Sequence, residues 1–192
     1  MSSPRLRIAA LVTAAFAVVS GARAATFAPV TLDDMVESAG RIFRGTCVSA
    51  ATGTTVVAGA RLPSTTYKFE IRESLKGNGE RTVSFRQVGV PGGGPADLGR
   101  AAGLPVYTPG TEYVLFLLPE SRARLTSPAG ASLGALPVSD EVVTVPHGLA
   151  GLGRRDTHAG GAGEPAGAEA LPYSTVRDAV LEALRGPSRP RH

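Results

Sequence analysis

The sequence predicts a mostly β protein: a small antiparallel barrel with one short helix before it and one after it. Three observations carry that expectation. Runs rich in β-formers recur between Gly, Pro and Asn clusters from Arg41 to Val145. The clearest passage, Tyr67 to Gly89, alternates apolar and polar residues on both sides of Lys76-Gly77-Asn78-Gly79, the pattern of a hairpin. Helical spacing of apolar residues is confined to two stretches, Leu32 to Ala39 and Val176 to Leu184. Closure into a barrel would spare long apolar strands an exposed edge.

The N-terminus alters every later count. Arg5 and Arg7 precede an apolar run from Ile8 to Val19, and Ala22-Arg23-Ala24 puts small residues where a signal peptidase reads them. That is the layout of a secretory signal peptide over residues 1–24, with cleavage expected between Ala24 and Ala25. The run falls short of the roughly 20 residues that span a bilayer, so no membrane span is expected after its removal. No cysteine lies at the cut, which argues against a lipoprotein. Arg5 and Arg7 are not adjacent, which favours the general export route over the twin-arginine one. The expected location is therefore secreted or periplasmic.

Arg5, Arg7 and Arg23 leave with that segment and no acid does, so most of the formal net charge of +4 goes with it. A nucleic-acid binder keeps a basic stripe on its folded domain, and none is written here. The remaining residues 25–192 suit one domain, able to bury about 70% of its unfolded surface without disulfides.

The first expected helix has Leu32, Met35, Val36 and Ala39 on one face, with Thr31 and Asp34 as a capping pair and Gly40 as the stop. Capping accounts for Asp33 and Asp34 without a metal or acid–base role. A strand is expected from Arg41 to Ala50, then a polar turn at Ala51-Thr52-Gly53-Thr54. Strands at Val56–Leu62 and Thr65–Leu75 follow, with Pro63 marking a bulge or an edge. Tyr67, Phe69, Ile71 and Leu75 face one way in this reading, with Glu73 interrupting their face, and Val83 and Phe85 continue it after the turn. Lys76 reads as a solvated turn lysine.

Residues 89–104, rich in glycine, read as a mobile loop that lacks the strand-to-helix context of a phosphate cradle. Thr111 to Leu118 is apolar on both faces, as in a strand covered on both sides. Shorter strands are expected at Arg124–Thr126, Ala135–Val138 and Glu141–Val145, completing a barrel domain over residues 25–152. A Gly/Ala-rich linker over 153–172 then leads to a C-terminal helix at 173–186, capped by Ser174 or Thr175, and a basic tail at 187–192.

Little in the chain gathers for chemistry. Cys47 is the single cysteine, set among β-formers where it serves as a small buried hydrophobe. His147, His158 and His192 show no ligand spacing, so no metal and no cofactor is expected, and no catalytic residue is assigned.

Three passages together carry a resemblance. Ser38 to Val48 (SAGRIFRGTCV) precedes Tyr67 to Gly77 (YKFEIRESLKG), and Pro109 to Leu117 (PGTEYVLFL) follows. This order resembles a group of exported bacterial proteins of unknown function. More distantly it is similar to the netrin-like modules of the tissue inhibitors of metalloproteinases, which are OB-fold barrels. The resemblance covers about residues 30–120, extending towards 145, and implies the barrel. Those inhibitors act through an N-terminal cysteine braced by disulfides; the expected mature start here is Ala25-Thr26-Phe27, so none of their functional residues carries over.

The expected function is that of an exported, non-catalytic binding or interaction module for an unknown protein or envelope ligand. The 89–104 loop and the barrel mouth are its expected surfaces. The alternative, on fold analogy alone, is an inhibitor or accessory partner of a secreted protease; a further alternative is an enzyme whose groups converge from distant strands. Expressed in an exporting host, the chain should yield a mature form whose mass fits a start at Ala25. A retained Met1 in intact-protein mass spectrometry would remove the export reading.

Overall fold

The computed structural model describes residues 30–94, 97–147, 149–152 and 168–186. The expected cleavage site at Ala24 and Ala25, the linker residues 153–167 with His158, and the tail 187–192 with His192 lie outside the described residues.

The fold is mostly β. A two-residue strand β1 (Val30–Thr31) leads into helix α1 (Leu32–Ser38). There the capping box forms as expected: Asp34 N–H donates to Thr31 Oγ1 at 3.1 Å, and Thr31 N–H to the Asp34 carboxylate at 3.3 Å. Strands β2 (Arg41–Val57), β3 (Ala60–Lys76) and β4 (Thr82–Val88) come next. A short helix α2 (Leu98–Ala101) precedes β5 (Glu112–Leu117), followed by β6 (Ala135–Ser139), β7 (Val142–Pro146) and β8 (Leu149–Ala150). β9 (Ala168–Pro172) and helix α3 (Tyr173–Arg185) complete the described chain. β1 pairs with β8 in parallel; the rest form one antiparallel sheet of seven strands in the order β4-β3-β2-β5-β6-β7-β9.

The hydrogen-bonded ladder has two ends, β4 and β9, so the expected closed barrel is not what the strand pairing gives. One main-chain bond, Thr126 N–H to Arg86 C=O at 2.9 Å, ties the edge of β4 to the segment that follows β5. Thr126 therefore touches the sheet's edge by a single bond. The expected strand Arg124–Thr126 is a turn, with Arg124 at φ 56°.

Both faces of the sheet are buried at β5, which is why it is apolar from Tyr113 to Leu117. Tyr113, Leu115 and Leu117 join Phe43, Cys47, Tyr67, Phe69, Val83, Phe85 and Tyr107 in one core. Val114 and Phe116 point the other way, into a second core formed with Leu32, Met35 and Val36 of α1 and Val176 and Val180 of α3.

Several expectations shift for local reasons. The turn expected at Ala51–Thr54 is continuous strand, since Thr52 pairs with Thr65 and Gly53 with Ser64. Reversal happens instead at Ala58-Gly59, both at positive φ (49° and 82°) as a two-residue hairpin demands, in place of the expected Val56–Leu62 strand. Gly40 does not end α1 by a left-handed turn; Ala39 caps it in extended backbone, and a Cβ on Gly40 would come within a tight 3.2 Å of Pro119. Irregular pairing between Arg44 and Gly45 leaves Arg72 unpaired, which reverses the alternation beyond it. Leu75 therefore packs into the helix-side core, and Glu73 faces α3. Lys76 is not free in solvent, for its Nζ donates to Val36 C=O at 2.7 Å. The last five residues of the expected linker are β9, which pairs with β7. Pro172, not Ser174 or Thr175, stands at the cap of α3, and the Tyr173 N–H goes to Glu141 C=O at 2.7 Å.

Arg44 holds these parts together. It is 3% exposed, on the α3 side of β2. Its Nε and Nη2 donate to Glu112 of β5 at 2.9 and 2.7 Å, and its Nη1 and Nη2 to Glu141 in the β6–β7 turn at 2.6 and 2.7 Å. The guanidinium stacks 4.2 Å from the ring centre of Tyr173, whose hydroxyl donates to Glu73 at 2.8 Å. Arg177 Nε donates to the same carboxylate at 2.6 Å. Glu141 occupies backbone at φ 62°, where glycine or asparagine is usual; its bidentate grip on Arg44 holds it there.

Arg44→Ala should cost about 3 kcal/mol in urea unfolding, because it takes the main partner from the half-buried Glu112 and uncovers the Tyr173 ring. The exposed Arg72, 3.6 Å from Glu112 and 3.3 Å from Glu141, replaces only part of it. Glu141 is held below its usual range mainly by the Arg44 hydrogen bonds. Burial pushes Glu73 up, but Arg177 and Tyr173 outweigh it and bring it down. Both folded values lie below the unfolded ones, so this stability is complete above the ordinary glutamate range and is lost as pH falls through the lowered values. Glu73→Gln should flatten that acid limb in a pH series of melting temperatures.

Candidate functional site

The glycine-rich segment is built around a carboxylate. β4 ends at Val88, and Gly89 N–H donates to Pro63 C=O at 2.9 Å. Pro63 has no N–H to return, and Thr65 Oγ1 donates to Gly89 C=O at 2.8 Å in its place. The chain then loops around Asp97, which accepts from Val90 N–H at 3.0 Å and Arg100 N–H at 3.0 Å. Those main-chain donors hold Asp97 below the usual aspartate range. Glycine is compulsory at this crossing: a Cβ on Gly89 would lie 2.6 Å from Asp97 Oδ1, and one on Gly99 only 2.5 Å from Val88 C=O. The described residues of the expected mobile loop are thus folded around Asp97, with α2 among them.

Between this loop and the end of β4 lies a cleft of about 370 Å³. Its walls are backbone-rich, with Val88, Val90, Leu104 and Pro105 as apolar lining and the exposed Arg100 also contributing. Gln87, 4% exposed, reaches it from β4. Its Nε2 donates to Pro105 C=O at 2.8 Å, and its Oε1 is buried without a hydrogen-bond partner. A buried acceptor left so is costly unless something meets it. Beneath the cleft, Tyr67 and Tyr107 sit in a cluster of rings, 4.7 Å apart and edge to face. The Tyr107 hydroxyl also lacks a partner, and burial pushes its pKa well up.

A larger open groove of about 820 Å³ runs between α1 and α3. Two of its polar groups are already engaged: Asp34 in the capping box, and Lys76 on the carbonyls that end α1. The loop cleft is the better candidate, because among the described residues Gln87, which lines it, holds a buried acceptor without a donor.

The residues singled out in the sequence do not converge. Cys47 is fully buried in the aromatic core, its Sγ meeting Ser49 C=O at 3.7 Å, and burial pushes its thiol pKa up. His147 is exposed at the end of β7. Among the described residues no group of three or more His, Cys, Asp or Glu is placed to hold a metal, and no helix is long and apolar enough to cross a membrane. Sequence reasoning reached the loop but missed Gln87 and Tyr107, which carry no motif. Asp97 was findable, as an aspartate in cap position ahead of Leu98-Gly99-Arg100.

Gly99→Ala should cost about 1–3 kcal/mol through the forced contact with Val88. Asp97→Ala should act in the same direction. In both variants hydrogen exchange should quicken over 88–104 and stay unchanged over β2 and β3. Equal acceleration across the sheet would show that the loop is not a separate unit. No protein-family model matches this chain, and no curated protein is found similar to it.

Proposed function

We propose that the protein is an exported, non-catalytic binding module of the OB/netrin-like kind, which takes its ligand in the cleft between β4 and the Asp97 loop. The layout of residues 1–24 supports export. The observation that carries the site is Gln87, a buried amide whose nitrogen is fixed on Pro105 and whose oxygen has no donor. A ligand suited to it has a small apolar body and an N–H or O–H to give. Apolar walls with few placed polar groups are the usual make-up of such sites. The cleft volume accommodates a side chain with its flanking amide, so a segment of an extended apolar peptide fits this chemistry.

N-acetyl-leucine methylamide is a suitable probe in ¹⁵N-edited NMR titrations of the protein. Its addition should shift the Gln87 side-chain amide together with the Gly89, Gly99 and Gly103 amides, and Gln87→Leu should abolish those shifts. Shifts confined to the α1–α3 groove, or none at all at millimolar probe, would remove this reading.

A further inference from the structure

β2 and β3 run on beyond the rest of the sheet. β5 pairs with Arg41–Thr46, and the turn before it still meets Cys47, with Cys47 N–H on Thr111 C=O at 3.0 Å and Gly110 N–H on Cys47 C=O at 2.8 Å. β4 stops opposite Ser64. Past these points the two strands form an arm that ends at Ala58-Gly59. Among the described residues no main-chain group meets the outer edge of β2 from Val48 to Val57.

Which groups that edge presents follows from the register. Cys47 faces β5, Val48 is the extra residue of a bulge, and Val57 closes the two-residue turn against Ala60. Alternation then turns the N–H and C=O of Ala50, Thr52, Thr54 and Val56 outward.

The arm's two edges are guarded differently. On β3 the outward positions past β4 are Arg61 and Pro63, a charge and a residue without an N–H, both devices that deter strand pairing. On β2 there is no charge and no proline from Gly45 to Val57. Val56 stands 58% exposed there.

Gly53, at the middle of this edge, is the second observation. It lies in strand, not in left-handed backbone, and a Cβ on it would meet nothing within 4 Å. Nothing in the described chain requires glycine here, although glycine in a strand interior costs conformational entropy. Close approach of another backbone is what such a glycine serves.

We propose that the outer edge of β2 pairs antiparallel with the same edge of a second copy of this chain, with Gly53 on the two-fold axis. In that register Ala50 faces Val56 of the second copy and Thr52 faces its Thr54, each as a hydrogen-bonded pair. Every outward N–H and C=O from Ala50 to Val56 is then satisfied on both chains. Gly53 meets its counterpart at the closer, non-hydrogen-bonded position, where Cα atoms lie about 4.5 Å apart. An uncharged edge meets its own copy without repulsion, which favours a second copy over a charged peptide. The arrangement is isologous, as two-fold dimers are.

Sedimentation equilibrium on the full chain tests this. The mature wild type should sediment at twice its own single-chain mass at sub-millimolar concentration. Thr52→Lys, at an exposed position, sets a lysine on each side of the axis and should weaken the dimer at least about tenfold with an unchanged circular dichroism spectrum. The double variant Thr52→Lys with Thr54→Glu places opposite charges across the same pairs and should restore it. A wild type that stays monomeric overturns the proposal, whether the edge then serves another protein's strand or none. So does a dimer that Thr52→Lys leaves intact, since its contact lies elsewhere.

Discussion

A guanidinium removed from water must be given partners, and meeting that demand at Arg44 sets the arrangement of everything around it. Its four donated bonds go to Glu112 and Glu141, which belong to a neighbouring strand and to a distant hairpin turn. β2, β5 and the β6–β7 turn are thereby fixed relative to one another at one point. The planar face of the same group is covered by the ring of Tyr173, the first residue of α3, so the helix inherits its position from the ion pair. Glu73 then draws in both Tyr173 and Arg177, extending the bonded chain along the helix. Hydrophobic contact between α1 and α3 supplies area, but area is tolerant of sliding. The charged network is not, because the bidentate bonds fix direction as well as distance.

What could be read from the sequence was whatever is decided locally. Thr31 and Asp34 lie three residues apart, and the capping box they form needs nothing from the rest of the chain. The two-faced apolarity within Thr111–Leu118 likewise announces a covered strand, whatever covers it. Where the reading missed, a distant partner had decided. Ala51–Thr54 has the composition of a turn, but each residue there is held in strand by a partner on β3. Residues 168–172 lack the apolar content of a core strand; the free edge of β7 recruits them. Arg72's bulge inverts Glu73 and Leu75, and periodicity alone carries no sign of it.

The same division holds for the candidate site. The loop's glycines are visible in the sequence, yet their reason is the passage of Gly89, Gly93 and Gly99 around one carboxylate, which only the folded backbone reveals. Gln87 is still less legible. In the sequence it is one polar residue in an alternating strand, on the face of Val83 and Phe85 although its own polarity points to solvent. It is buried because the segment 104–107 crosses over it and plants Tyr107 among the rings of the core. Polarity there was not a sign of exposure.

The burial of Cys47 has a practical corollary. With 0% of its surface accessible and its thiol packed among Phe43, Tyr67 and Phe69, the group is out of reach of oxidants and alkylating reagents while the domain is intact. Modification must wait for the aromatic core itself to come apart. The chain thus carries its own stopwatch: the speed at which a thiol reagent labels this solitary sulfur counts how often the aromatic interior opens, with no residue substituted to report it.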